Sequence, residues 1–283
     1  MKPRLSVAVI ARDEAHQLRQ CLATVAWADE IVVVEHGSRD DTAALARTLG
    51  ARVIVTPDWP GFGAQKNRAL DACSSDWVLV LDCDERVDAA LRAEIEATLA
   101  APMHAVYAIP RRSTYCGQFI DHSGWRPDHV RRLLKRGAAR FSDARVHENL
   151  VLDDAQGTIG TLRAPLIHYS FRSLDDVLTK VNRYSSDGAA MLLAQGRRPS
   201  LTLAIIKGLA AFVRSYLLKR GFLDGRLGFM LAVSNAEGTY YRYAKAWLAA
   251  RDHAGRRRDD TEEDMKKLGS GTNFSRSQSP SRD

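Results

Sequence analysis

Over its first hundred residues the chain alternates short apolar runs with amphipathic stretches, and that alternation admits few folds. Residues 5–10, 30–34, 52–56 and 77–81 read as strands. Residues 14–26, 40–49 and 64–73 between them read as helices, and Asp88 opens another that runs to Ala100. Leu18, Leu22 and Val25 share one face of the first helix, and Gly50 closes the second as a C-cap. Strand and helix in turn predict an α/β fold with a mostly parallel sheet covered on both faces.

The fourth strand carries the chemistry. Trp77-Val78-Leu79-Val80-Leu81 is a continuous apolar run that stops in Asp82-Cys83-Asp84-Glu85. Carboxylates there lie at the carboxyl edge of the sheet, where open α/β folds bind ligands. Two aspartates one residue apart can hold a hard divalent cation, Mg2+ or Mn2+, against a diphosphate. The same acids also suit the N-cap of a helix. Cys83 is expected to point the other way, since side chains alternate along a strand.

The 283 residues suit one large domain with an appendage, and 45% are hydrophobic, enough for a substantial core. Lys and Arg exceed Asp and Glu by 41 to 34, a net charge of +7 that favours anionic partners. Cys21, Cys73, Cys83 and Cys116 lack the paired spacing of a zinc site, and the N-terminus lacks a signal-type apolar core, so reduced cytosolic thiols are expected. No 18-residue run is free of charge, which predicts no membrane span. The basic tail is interrupted by Asp259-Asp260 and Glu262-Glu263-Asp264, against nucleic-acid binding.

From about residue 105 to 168 the pattern changes to short β-like runs (105–109, 130–134 and 158–162) among Arg, Gly and His, an irregular half that completes the site. Helical periodicity returns from Ser173, and apolar periodicity is lost after residue 250, where disorder is expected. The expected organisation is a catalytic domain over 1–172, a helical region over 173–250 and a disordered tail over 251–283.

No G-x-G-x-x-G or Walker A loop follows the first strand, which runs into Ala11-Arg12-Asp13-Glu14. That also speaks against a sugar-1-phosphate nucleotidyltransferase, the nearest enzyme alternative. After the second strand, Glu35-His36-Gly37-Ser38-Arg39-Asp40-Asp41-Thr42 forms a tight turn in which Ser38 or Asp40 can cap the next helix.

Together with Asp82-Cys83-Asp84, these segments resemble the inverting family 2 glycosyltransferases of GT-A fold. The lipopolysaccharide-core β-glucosyltransferases are the nearest look-alikes, through Trp59-Pro60-Gly61-Phe62-Gly63-Ala64-Gln65-Lys66-Asn67, Val146-His147-Glu148, His168-Tyr169 and Gly221-Phe222-Leu223-Asp224-Gly225. Glu35 and His36 stand where that family usually has Asp and a small residue. The resemblance implies a UDP-sugar donor, UDP-glucose first, held by Ala11, Asp13, Glu14, Glu35, Lys66 and Asp82, with Asp84 and His168 on the metal. It implies Glu148 as the base that takes the acceptor proton, oriented by His147. Read without it, Lys66 is equally a solvated helix lysine, Glu148 a partner of Arg145, and His168 a core histidine.

Trp125, Arg131 and Arg132 are the acceptor candidates, because an indole stacks on a pyranose and arginines take phosphate. Each also fits a core tryptophan or an ordinary basic strand. Leu201, Ile205, Leu209, Phe212 and Tyr216 recur at helical spacing, with Lys207 and Arg214 on another stripe. A second helix over 227–250 carries Tyr240, Tyr241, Tyr243 and Trp247. Such C-terminal amphipathic helices suit peripheral attachment to an anionic membrane, here the cytoplasmic face of the inner membrane, or a hairpin packed on the catalytic domain. The expected activity is transfer of a sugar to a phosphorylated, lipid-linked core acceptor. The alternative is a membrane-associated scaffold that has lost turnover.

Overall fold

The computed structural model describes residues 3–142, 149–153 and 157–270, the last eighteen by their backbone alone. The chain divides into two compact units. Met1–Leu174 with Lys219–Gly228 forms the first, and Asp175–Leu218 with Phe229–Asp283 the second. A division at residue 172 assigns 219–228 to the helices; in the structure the buried Asp224 ties this segment to the first unit.

In chain order the first unit contains β1 (Leu5–Ala11), α1 (Ala15–Ala23), β2 (Glu30–Glu35), α2 (Thr42–Thr48), β3 (Arg52–Val55), α3 (Phe62–Ala72), β4 (Trp77–Leu81), β5 (Glu85–Arg86) and α4 (Ala89–Ala100). It continues with β6 (Val106–Tyr115), β7 (Gln118–Phe119), β8 (His129–Lys135), β9 (Ala139–Phe141), β10 (Leu150–Leu152), β11 (Ile159–Thr161) and β12 (Leu166–Phe171). Among the described residues the main sheet runs β3-β2-β1-β4-β8-β6-β12-β5, with β7 and β11 also on β6. The β1–β4 half is parallel, as the alternation predicts. β8 enters antiparallel between β4 and β6, and β12 lies parallel to β6.

Strand alternation splits the core into two layers. Leu5, Val7 and Val9 of β1 with Trp77, Leu79 and Leu81 of β4 pack toward Leu18 and Leu22 of α1. Ala8, Ile10, Val78 and Val80 face the other way, toward Ala69 and Leu70 of α3. β1 and β4 are buried along their whole length, which explains their continuous apolar sequence. β3 carries Arg52 at the edge of the sheet. Asp88 caps α4 by accepting from the Leu91 amide at 2.8 Å. The middle is more regular than its sequence suggests: β6 extends ten residues, through Arg111 and Arg112.

The second unit holds α5 (Leu174–Ala194, from its second residue), α6 (Leu201–Val213) with a π-helical turn over Arg214–Leu218, and most of α7 (Gly225–Ser270). α6 turns Ala204 and Gly208 inward, and a Cβ on Gly208 would meet Tyr240 at 3.1 Å and the Ala236 carbonyl at 3.3 Å. Lys245 of α7 donates to the Asn182 carbonyl and Ser185 Oγ of α5 at 2.9 and 2.8 Å. Ile205, Ile206 and Leu209 stay exposed, as do Lys207 and Arg214. Leu201–Leu218, at a mean hydropathy of 1.6, is long and apolar enough to cross a membrane by length and composition. Of the four C-terminal aromatic residues only Tyr241 is exposed. α7 continues to Ser270, through residues for which lost apolar periodicity predicts disorder. Helix does not require an apolar stripe, and the Ala, Arg, Glu and Lys of this stretch are good helix formers.

Candidate active site

The parallel register brings three strand ends to one edge: Ala11 pairs with Glu35, and Val9 with Leu81. The loops beyond β1 and β2 are stapled together. Ser38 Oγ accepts from the Asp13 amide at 3.0 Å, Asp13 accepts from the Arg39 amide at 2.7 Å, and Thr42 Oγ1 accepts from the Glu14 amide at 2.9 Å. Asp13 adopts a left-handed φ of 54°, and Gly37 one of 59°. Asp40 links both loops, accepting from the Ala15 amide at 3.1 Å and the Thr42 amide at 3.0 Å, while Asp41 is the N-cap residue of α2. Glu35 is buried, and its carboxylate accepts from the Ser38 amide. Its added methylene over Asp lets the carboxylate fold back onto its own turn.

The acidic segment after β4 closes on itself. The Glu85 amide donates to the Asp82 carbonyl at 3.0 Å, and the Asp82 amide to Glu85 Oε2 at 2.9 Å. Glu85, fully buried, pairs antiparallel with His168 of β12, and the Tyr169 amide donates to the Asp84 carbonyl at 2.8 Å. This pairing sets His168 Nε2 at 3.3 Å from Asp84 Oδ2. Ser113 Oγ of β6, in register with His168, holds the other ring nitrogen at 2.9 Å. Thus Asp84 and His168, 84 positions apart in the chain, meet side chain to side chain. Among the described residues no group of three or more His, Cys, Asp or Glu is placed to hold a metal. The donor set suits an ion that takes its other ligands from a diphosphate and water.

Cations cover the rest of the cluster. Lys66 of α3, buried, reaches Asp82 Oδ1 at 3.1 Å and lies 5.4 Å from the Phe141 ring centre. It is therefore not a solvated helix lysine. Arg132 of β8 bonds Asp82 and, at 2.7 Å, Glu85. Burial pushes the Asp82 carboxyl up, but Arg132 and Lys66 outweigh it and hold the group well below the usual carboxylate range. Arg111 Nη1 lies 3.6 Å from Glu85. Arg86, also buried, donates to the Cys83 and Glu85 carbonyls at 2.7 and 2.8 Å and so braces the turn. Cys83 donates to the Ile10 carbonyl at 3.3 Å, in the core, and burial raises its pKa.

The acceptor candidates do not gather as one group. Arg132 is 5% exposed and committed to Asp82 and Glu85, which corrects its reading as a surface ligand for acceptor phosphate. The sequence of a basic strand does not reveal the register shift at which Arg132 turns inward beside the buried Leu133 and Leu134. Arg131, on the other face, donates to the Leu150 carbonyl at 2.6 Å. Trp125 is half-buried, its ring centre 6.0 Å from both Tyr115 and Phe171. His147 and Glu148 lie outside the described residues. Sequence reasoning missed Ser113, Arg86 and the role of Glu85. Only the apolar run at Leu166-Ile167 hinted at the strand that delivers His168.

The profile of the family described as glycosyl transferase family 2 matches residues 6–166. The chain is 32% identical to the lipopolysaccharide core biosynthesis glycosyltransferase LpsC of Rhizobium meliloti (strain 1021), over 85% of this chain and 93% of that protein. It is 30% identical to an uncharacterized glycosyltransferase of Rickettsia prowazekii (strain Madrid E), over 86% of each. Among solved structures it is similar to S. aureus TarS 1–349 at 15% identity, over 88% of this chain and 92% of that one, with a TM-score of 0.45. Glucosyl-3-phosphoglycerate synthase from Mycobacterium tuberculosis, solved with Mg2+ and UDP, matches at 26% identity with a TM-score of 0.33. That match covers 41% of this chain and 44% of the other, so the chain spans under half of that structure's length.

Proposed function

The chain belongs to glycosyl transferase family 2, a glycosyltransferase of GT-A fold, and from that premise we propose that it moves glucose, with inversion, from UDP-glucose to a phosphorylated, lipid-linked core glycan. The observation that carries the donor side is the convergence of Asp84 and His168 at 3.3 Å beside the Lys66–Asp82 pair. Asp84 and His168 would hold Mg2+ or Mn2+, which supplies Lewis-acid neutralisation of the leaving diphosphate. Ser113 fixes the His168 ring so that Nε2 faces Asp84. Lys66 and Arg132 add fixed positive charge, and Asp82, kept ionised by both, can accept from a ribose hydroxyl or a bound water. Ala11, Asp13, Glu14 and Glu35 shape the nucleotide end of the cleft. Glu148 takes the acceptor proton, with His147 orienting it.

The acceptor half of the proposal rests on likeness to the LpsC protein, whose name places it in lipopolysaccharide core biosynthesis, with Trp125 as the stacking candidate and Arg131, whose guanidinium bonds the Leu150 carbonyl, as the phosphate candidate. A lipid-linked acceptor calls for membrane contact on the cytoplasmic face, and the exposed Ile205, Ile206 and Leu209 of α6 supply an apolar surface for it. Spanning would bury Lys207 and Arg214 in hydrocarbon at about 2.5–3.5 kcal/mol each near the centre, so α6 is read as interfacial. Replacement of Asp84 by Ala is expected to abolish Mn2+-dependent UDP release from UDP-glucose in the presence of core acceptor. Retention of parental turnover by Asp84→Ala refutes this assignment of the metal.

A further inference from the structure

Asp224 holds a loop of the catalytic unit from a turn far along the chain. Its Oδ1 accepts from the Asp121 amide at 3.1 Å and from His122 Nδ1 at 3.0 Å, and its Oδ2 from the His122 amide at 3.1 Å and Ser123 Oγ at 3.2 Å. Gln118 Nε2 donates to the Asp224 carbonyl at 3.1 Å, and the Ser123 amide to the Lys219 carbonyl at 2.9 Å. Ser123 and Arg220, one on each side of this knot, have left-handed φ values of 59° and 55°, a conformation such residues keep only where neighbours enforce it. The Gly221–Asp224 turn is closed by the Leu223 amide on the Arg220 carbonyl at 3.0 Å. A Cβ on Gly228 would fall 1.9 Å from the Gly221 carbonyl oxygen.

The outward side of the same turn is different in kind. Phe222 and Leu223 are 47% and 56% exposed, next to the exposed Lys219 and Arg220. Two large apolar side chains beside two cations, on a segment anchored by a buried carboxylate, match an anionic bilayer interface: phosphates for the cations and the acyl boundary for the rings and methyls. We propose that the Lys219–Asp224 turn is a membrane-contact element of the catalytic unit itself, and that Asp224 is a positioning residue that holds the Trp125 loop at the bilayer surface. The inference rests on the lipid-linked acceptor proposed above and adds a contact distinct from α6.

The test uses the full chain with phosphatidylglycerol–phosphatidylcholine vesicles and needs neither donor nor acceptor, so it can fail while the glycosyltransferase reading stands. Phe222→Ser with Leu223→Ser is expected to weaken flotation with anionic vesicles about tenfold. Lys219→Glu with Arg220→Glu is expected to remove much of its salt sensitivity. Vesicles are expected to slow amide exchange over 118–126 in the parent. In Asp224→Ala, flotation persists but that slowing is lost, a change that general destabilisation does not produce. Parental flotation by both double variants overturns the membrane contact. Vesicle-dependent slowing that survives in Asp224→Ala overturns the positioning role.

Discussion

The two halves of the main sheet bury different things. In the parallel half, β1 and β4 bury almost only apolar side chains on both faces, and the acids beside these two strands lie outside them. In the antiparallel half, β8 buries Arg132 next to Leu133 and Leu134, and β5 buries Glu85 and Arg86. The halves meet where Leu79 of β4 pairs with Leu133 of β8, one residue from Arg132. The parallel half is held by close packing, which depends on shape and volume rather than on charge partners. The antiparallel half holds charges that are tolerable only in company, because the low-dielectric interior penalises an unpaired one.

The sharpest way to break this comparison is to remove one buried group from each side of the junction. Arg132→Met leaves Glu85 buried without its nearest cation, and unfolding is expected to become easier by about 3–5 kcal/mol, measured by urea denaturation. Adding Glu85→Gln should recover part of that loss, since no charge is then stranded. Leu79→Ala is expected to cost about 2–5 kcal/mol through lost transfer energy and a cavity, with no rescue from a change at Leu133 to another small residue. Failure of the second substitution to rescue Arg132→Met would put both sites in the same packing-dominated class.

The same contrast explains what the sequence discloses. β1, β2 and β4 announce themselves because burial on both faces leaves nearly continuous apolar runs, and the acids after Leu81 mark the site edge. β6, β8 and β12 carry Arg, Ser and His on inward faces, so their apolar signal is broken where the structure is most constrained. Asp84 and Lys66 were legible through their local segments. The resemblance implies Asp84 and His168 on one metal, but the pairing of β5 with β12 that brings them together across 84 positions is not visible in the residues themselves. Arg132 is legible as a basic residue near the site, but its inward direction is not, because it falls at the register shift between Leu133 and Arg131 in the pairing of β8 with β6.

A smaller effect sharpens the assignment of the metal pair. Ser113→Ala removes the group that holds His168 from behind without touching the acids. Loss of such an outer partner is expected to weaken Mn2+ binding about 10–100-fold. Calorimetry with Mn2+ and UDP measures it, and the thermal midpoint should move little. A variant that binds Mn2+ as the parent does would make Ser113–His168 a structural hydrogen bond of the antiparallel half.

The smallest expected effect lies in the parallel half, at Glu30, a well-buttressed acid at the start of β2. Its carboxylate accepts from Ser6 Oγ at 2.5 Å, from the Ser74 amide at 2.7 Å and from Arg52 at 2.9 Å. Burial raises its pKa, but these donors, led by Ser6, outweigh that and lower it to about 2. A carboxyl whose folded pKa lies below its unfolded value stabilises the fold fully above the unfolded pKa and loses that contribution as pH falls through the folded one. The parent should therefore lose stability between about pH 4.5 and 2. Glu30→Gln, which cannot titrate, should flatten that part of the urea-midpoint profile. Asp82→Asn should flatten the acid limb too, over a range reaching lower, since Arg132 and Lys66 hold that group further down. Equal flattening by the two variants over one window would mean that the buried cations of the antiparallel half bind Asp82 no more tightly than ordinary donors bind Glu30.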